Sequence, residues 1–265
     1  MRPLLNDHVY SYLQAAAKVM DIRSGKWYEP EVDLIRFAVH PGDTVLDLGA
    51  NFGIYSYHLS KAVGPTGRVY AFEPIPFTSR TLSLVMKLLR LRNVTLVAKG
   101  CSDAAGTVEF KLPIQSSGAP SAGQAYIGRR NDARPGSDTQ VRWSRTKKVT
   151  CDVVALDQYL PDLTNLSLIK CDIEGAELLA FRGAVRAIET YLPTVICEIN
   201  PWFLDGFGLR LEDLVGFFLT RGYRLYRYTP DKALAQVNEL ADIVEDNYVF
   251  IPGGRLPQFS ALFDR

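Results

Sequence analysis

The sequence has almost no charge imbalance. Its 30 Lys and Arg stand against 29 Asp and Glu, for a net charge of +1. A general electrostatic grip on nucleic acid or on a membrane surface is therefore not built into the chain as a whole. Cysteine is scarce: Cys101, Cys151, Cys171 and Cys197 include no CxxC pair and match no zinc spacing. That argues against a disulfide scaffold and predicts reduced, buried thiols. No apolar run approaches the length of a secretory signal or a transmembrane helix, so the expectation is a cytoplasmic protein without stable membrane insertion. The histidines, His8, His40 and His58, have no metal-spaced partners. Asp172, Glu198 and Asn200 could begin an oxygen-ligand set, but no further ligand is evident and no metal is expected. There is no internal repeat and no heptad.

What remains is an ordinary globular composition, 47% hydrophobic and 22% charged, over 265 residues. Val9, Tyr12, Leu13, Ala16 and Val19 recur at helical spacing and predict an amphipathic N-terminal helix, a candidate lid or homodimer element. A second helix is expected over 30–39, opened by Pro30. Residues 1–40 thus read as a helical cap and 41–265 as the main domain. There, strand-like and helix-like segments alternate: strands at 44–49, 68–74, 94–100, 106–112, 148–154, 166–172, 194–200, 223–229 and 247–252, with helices at 54–63, 77–91, 175–188 and 209–222 among them. Near-continuous apolar strands between helices predict an α/β fold with helices on both faces of a mostly parallel sheet. About seven core strands are expected, the last antiparallel. Residues 113–147 break the pattern. They are rich in Gly, Ser, Pro and Arg and read as a long basic insertion, a candidate substrate loop.

Ligands of such sheets lie at the carboxyl ends of the strands. The first strand ends in Asp47-Leu48-Gly49-Ala50-Asn51-Phe52-Gly53, the second in Glu73-Pro74, the third in Gly100-Cys101-Ser102-Asp103. Further along come Asp172-Ile173-Glu174-Gly175 and Glu198-Ile199-Asn200. Carboxylates are costly beside apolar strands unless something binds them. Several on one edge point to a ligand bearing hydroxyls or a cation. The glycine turn is not a dinucleotide fingerprint: Asn51 replaces the central glycine and Gly53 falls one residue early. Asp47 would repel a pyrophosphate and attract an ammonium or a sulfonium. Glu73, twenty residues after Gly53, stands where a carboxylate grips a ribose diol. Ser102 and Asp103 could bind the rim of a base. Together these describe S-adenosylmethionine (SAM) better than NAD.

In order along the chain, VLDLGANFGIYS, FEP, KGCSDAAGTVEF, LIKCDIEGAELLAFRGA and TVICEIN resemble the FkbM family of SAM-dependent methyltransferases. The resemblance covers roughly 27–200, and KCDIEGAE is its most specific run. It implies a Rossmann-like class I methyltransferase fold with a seven-stranded sheet, and methyl transfer to a hydroxyl of a small-molecule natural product or sugar, with S-adenosylhomocysteine as product. By position it places Asp47, Gly49, Asn51 and Gly53 around the methionine end, Glu73 on the ribose and Ser102 near the adenine. Asp172 and Glu174 would lie close to the methyl donor, with Tyr28 and Glu29 helping to close the cofactor site.

A hydroxyl is a poor nucleophile until its proton leaves, so a general base is expected. The candidates are Glu174, Glu198 and Asp172, with Asp172 alternatively binding the methionine ammonium. One carboxylate of the 172–175 turn could instead cap the next helix. Trp202, Phe203 and Phe207 either pack in the core or wall a bulky acceptor. The expected acceptor is a small molecule or glycan rather than nucleic acid. Two rival readings are an NAD-dependent oxidoreductase, opposed by the turn spacing and Asp47, and a catalytically silent SAM-binding module, opposed by the set of strand-end carboxylates.

Overall fold

Residues 7–113 and 146–263 are described by a computed structural model of the chain. The N-terminal helix α1 (Asp7–Ser24) buries Ser11, Ala15, Val19 and Ile22, one face at helical spacing, while Val9, Tyr12, Leu13 and Met20 stay exposed. After it come a 3-10 turn (Pro30–Leu34) and the one-turn helix α2 (Ile35–Ala38) in place of the single helix expected over 30–39. Then follow β1 (Thr44–Leu48), α3 (Ile54–Val63), β2 (Arg68–Phe72), α4 (Pro76–Leu89) and β3 (Val94–Val97). Helix α1 lies along α4, with Tyr10 stacked on Phe77 at 5.6 Å.

The segment expected as one strand over 94–100 is divided. Its end turns away as β4 (Gly100–Cys101), which joins β5 (Gly106–Pro113) and β6 (Thr146–Val154) in a separate three-stranded sheet of order β4-β6-β5. The insertion expected over 113–147 lies almost wholly outside the described residues. The chain continues through α5 (Leu156–Tyr159), β7 (Leu166–Cys171), α6 (Glu177–Arg182), α7 (Val185–Tyr191), β8 (Thr194–Ile199), α8 (Pro201–Gly206), α9 (Leu211–Leu219), β9 (Tyr223–Tyr228), β10 (Leu234–Gln236) and β11 (Asp246–Pro252). The helix expected over 175–188 is broken into α6 and α7 at Gly183. There the backbone passes so close to Ser102 that a Cβ would stand 2.0 Å from its carbonyl oxygen.

The central sheet has order β10-β9-β11-β8-β7-β1-β2-β3. It is parallel from β8 to β3, and β11 runs antiparallel between β8 and β9. This is a Rossmann-like class I methyltransferase architecture with one more strand than the seven expected, because the short β10 pairs antiparallel with β9 at the edge. Side-chain alternation splits the core between the two faces. Val45, Val69, Ala71, Leu168 and Ile196 pack on one side with α3, and Leu46, Leu48, Phe72, Ile169 and Cys197 on the other with α6. All four cysteines are buried free thiols. Among the described residues no helix is long and apolar enough to cross a membrane.

Candidate active site

The same alternation decides where the polar strand ends point. Residues 47, 73, 170, 172 and 198 all stand an even number of positions from side chains packed on the α3 face. One edge of one face therefore collects Asp47, Glu73, Lys170, Asp172 and Glu198. A cavity of about 430 Å³ opens at this edge, lined among others by Gly49, Asn51, Glu73, Ser102, Asp172, Glu174 and Glu198.

The turn after β1 is held by Gly49 N–H and Ala50 N–H, which both donate to the Phe72 carbonyl at 3.0 and 2.9 Å. Gly49 has φ +80° and presses on the 172–175 turn, where a Cβ would lie 1.8 Å from the Asp172 carbonyl oxygen. Asn51 also sits in the left-handed region, at φ +48°, which asparagine tolerates better than most residues. Its N–H donates to Glu73 Oε2 at 3.1 Å, and Ile75 N–H donates to Glu73 Oε1 at 2.9 Å. Burial pushes the Glu73 carboxyl up to about 8, against the pull of these two N–H donors. The side-chain oxygen of Asn51 is buried and has no hydrogen-bond partner within the described protein. An orphaned acceptor on a cavity wall fits a ligand that brings an N–H.

Across the cavity, Asp172 and Glu198 end the adjacent parallel strands β7 and β8 and hydrogen-bond through their carboxyls. Burial, then the charge of Asp172 and the bond to it, push the Glu198 carboxyl up to about 10. Glu174 lines the same cavity from a backbone at φ +56°. The far wall is apolar. Ile75 contributes from the end of β2, and Val108, Phe110 and Val153 from the small sheet.

Four of the residues placed at the site by sequence do not line the cavity. Asp47 lies beneath it, 1% exposed, accepting the Ser56 hydroxyl at 2.5 Å, and burial raises its carboxyl to about 6. Gly53 supports α3 as its N-cap. Glu29 is half-buried beside Lys170, Asp172 and Tyr55, and burial pushes its carboxyl up. Tyr28 is 46% exposed and turned to Asp33. Of the late aromatics, Phe207 lines the cavity while Trp202 and Phe203 do not. Phe218, Tyr223 and Phe250 pack in the core. Among the described residues no group of three or more His, Cys, Asp or Glu is arranged to hold a metal ion.

Sequence reasoning missed three contributors. Glu177, 2% exposed, reaches back so that its Oε1 accepts the N–H groups of Ile173 (3.2 Å) and Gly175 (3.0 Å), fixing the turn that carries Glu174. A carboxylate at the start of a helix, three residues past a strand-end turn, was the available signal. Lys170 is fully buried on β7 and was hidden inside an apolar run. The apolar wall from β5 and β6 had no signal, because nothing local says which sheet a strand joins.

Residues 47–225 match the family described as the methyltransferase FkbM domain. Methyltransferase sdnD of Sordaria araneosa is 28% identical over 195 residues, 67% of this chain and 74% of its own. Ribosomal RNA large subunit methyltransferase E of Buchnera aphidicola subsp. Schizaphis graminum is 28% identical over 108 residues, 35% of this chain and 52% of its own. The crystal structure of methyltransferase FkbM from Methylobacillus flagellatus superimposes with a TM-score of 0.48 at 18% identity, over 84% of this chain and 50% of that one.

Proposed function

The chain belongs to the FkbM methyltransferase family, and from that premise we propose that it moves the methyl group of SAM to a hydroxyl oxygen of a small molecule or sugar. The observation that carries this reading is the unpartnered Asn51 side-chain oxygen on the wall of a cavity that also holds Glu73, Asp172, Glu174 and Glu198. When bound, SAM supplies an electrophilic methyl group on a sulfonium. Asn51 and Asp172 hold the ammonium end, an acceptor and a charge within one pocket. Glu73, its carboxylate already fixed by two N–H donors, holds the ribose hydroxyls. Ser102 and the wall of Ile75, Val108, Phe110 and Val153 take the base, whose flat face suits an apolar surface.

Glu174 and Glu198 remain to serve the acceptor. Positive charge in the cavity favours the ionised form of Glu198, which can then accept the hydroxyl proton while Glu174 faces the same space. Alignment of the acceptor oxygen with the methyl group by a closed cavity supplies much of the remaining rate. The test is to incubate purified protein with labelled SAM and a metabolite extract and to identify the methylated product. Glu174→Gln and Glu198→Gln are then assayed for SAM binding and turnover separately. If both bind SAM and turn over at the wild-type rate, the base lies elsewhere.

A nucleic-acid acceptor is the second reading, favoured by the similarity to the ribosomal RNA methyltransferase. Adding ribosomal RNA to the same incubation decides between them.

A further inference from the structure

Lys170 is the least expected side chain in the molecule. It is 1% exposed in the middle of the sheet, in register with Ile196 on β8 and with the buried Asp47 on β1. A buried ammonium is costly unless it is paired, and methionine would fill the same volume without that cost. Its position is over-determined. Nζ donates to the Asn247 side-chain oxygen at 2.8 Å and stands 4.9 Å from the centre of the Tyr55 ring. Asn247 is in turn held by Glu31, at 3.4 Å, and sits opposite Glu198 in the β8–β11 ladder. On the remaining side Nζ is 3.8 Å from Asp172 Oδ2. Lys170 itself lines no part of the cavity, so the ammonium acts on the site through the lining carboxyls, with Asp172 at 3.8 Å and Glu198 further off.

We propose that Lys170 is a positioning residue of the methyl-transfer site: clamped by Asn247 and Tyr55 behind Asp172, its ammonium holds the Asp172 carboxylate in place at the cavity wall. This rests on the reading of Asp172 as the partner of the SAM ammonium. A buried cation beside a carboxyl pair attracts the nearer carboxylate and holds it in place. The groups around the lysine keep it charged. Glu29 and Glu31 approach from the cap, Asp47 from β1 and Cys197 from β8, and all favour the charged lysine. Although burial pulls the ammonium down, Asp172, Glu29 and Glu198 hold it above the ordinary lysine range. Tyr55, from α3, stays neutral, its hydroxyl pushed upward by burial and by Glu29. Glu174 adds negative charge on the Glu198 side.

The experiment measures SAM affinity by calorimetry from about pH 5 to about pH 9 for the wild type, Lys170→Met, Lys170→Arg and Asn247→Ala. The cation beside the carboxyl pair lowers Glu198, so its loss in Lys170→Met moves the acid limb of SAM binding up by about one pH unit, and affinity near pH 6 falls about tenfold. Near pH 9, beyond that limb, the two proteins bind SAM equally or the variant more tightly. Lys170→Arg keeps the limb in place, and Asn247→Ala moves it in the same direction by less. Glu73 contributes a limb of its own that all four proteins share. A Lys170→Met limb that coincides with the wild type, or a loss that is uniform across pH, overturns the proposal and leaves the SAM site standing. If Lys170→Met does not fold, the Asn247→Ala limb decides, and no displacement there overturns it. A wild type that binds no SAM at any pH overturns both readings.

Discussion

Replacing Gly49 by alanine tests how tightly the two halves of the site are locked together. The new Cβ would sit 1.8 Å from the Asp172 carbonyl oxygen, 2.8 Å from its carbon and 3.1 Å from Ile173 Cγ2. To reach an ordinary contact of 3.4 Å, backbone must retreat by about 1.6 Å, since none of the closest atoms is the end of a flexible side chain. Asp172 is anchored by its N–H to the Leu48 carbonyl at 3.0 Å, and that bond is the one to break. Its loss costs about 1–3 kcal/mol. Alanine at φ +80° adds about 1–2 kcal/mol. The sum, about 2–5 kcal/mol, corresponds to a fall in melting temperature of roughly 5–15 °C. Displacing Asp172 by more than 1 Å is expected to weaken SAM binding or turnover by about a hundredfold. Differential scanning fluorimetry and calorimetry measure both. Gly216→Ala in α9, where a Cβ meets nothing within 4 Å, is the control and should stabilise by about 0.5–1 kcal/mol. A Gly49→Ala protein that melts within about 2 °C of the wild type and binds SAM with unchanged affinity would refute this account of the contact.

Three further outcomes follow from the site. Glu177→Leu strands the Ile173 and Gly175 N–H groups and should destabilise by about 2–5 kcal/mol in denaturant titration, with Glu177→Gln recovering at least half; equal losses in the two would assign the effect to packing. The unliganded protein should lose thermal stability as pH rises from about 5 to about 8. In that window the unfolded chain has released the protons of Asp47, Glu73 and Glu177, whereas burial holds their folded-state values up at about 6, 8 and 7; a melting temperature that climbs across it contradicts this. Cys101 and Cys171, whose thiols burial pushes upward, should resist alkylation in the native protein near pH 8, and rapid labelling of either by iodoacetamide, read by mass spectrometry, would show that the sheet opens locally.

Much of this was legible from sequence because parallel-sheet strands announce themselves twice, as apolar runs and by what stands at their ends. Asp47, Glu73, Asp172 and Glu198 could be read as a set for that reason, and the alternation of the pleat then brings them to one face. Where sequence reading fell short, the deciding contact was distant. The helix over 175–188 reads as continuous, and only the approach of the Ser102 carbonyl to Gly183 breaks it. Residues 94–100 read as one strand, and only the pairing of Gly100 with Val153 shows that a second sheet begins at its end. Lys170 passes unnoticed in an apolar strand because its partners, Asn247 and Tyr55, lie 77 residues after it and on a helix far before it. Tyr28 and Glu29, which the family resemblance places at the closing edge of the cofactor site, do not line the cavity; Tyr28 turns to Asp33 and Glu29 stands beside Asp172 and Lys170.

The hairpin of β5 and β6 has a consequence for how this chain can change. Val108 and Phe110 face the cavity, while Glu109 faces away and pairs with Lys148. Adding or removing one residue between Gly106 and Phe110 would exchange the two sets and bring a carboxylate into the apolar wall. Two residues would restore it. The parity rule holds along the whole described ladder, from Gly106 with Val153 to Pro113 with Thr146. Variation in this lineage is thus expected to be even-numbered inside the hairpin.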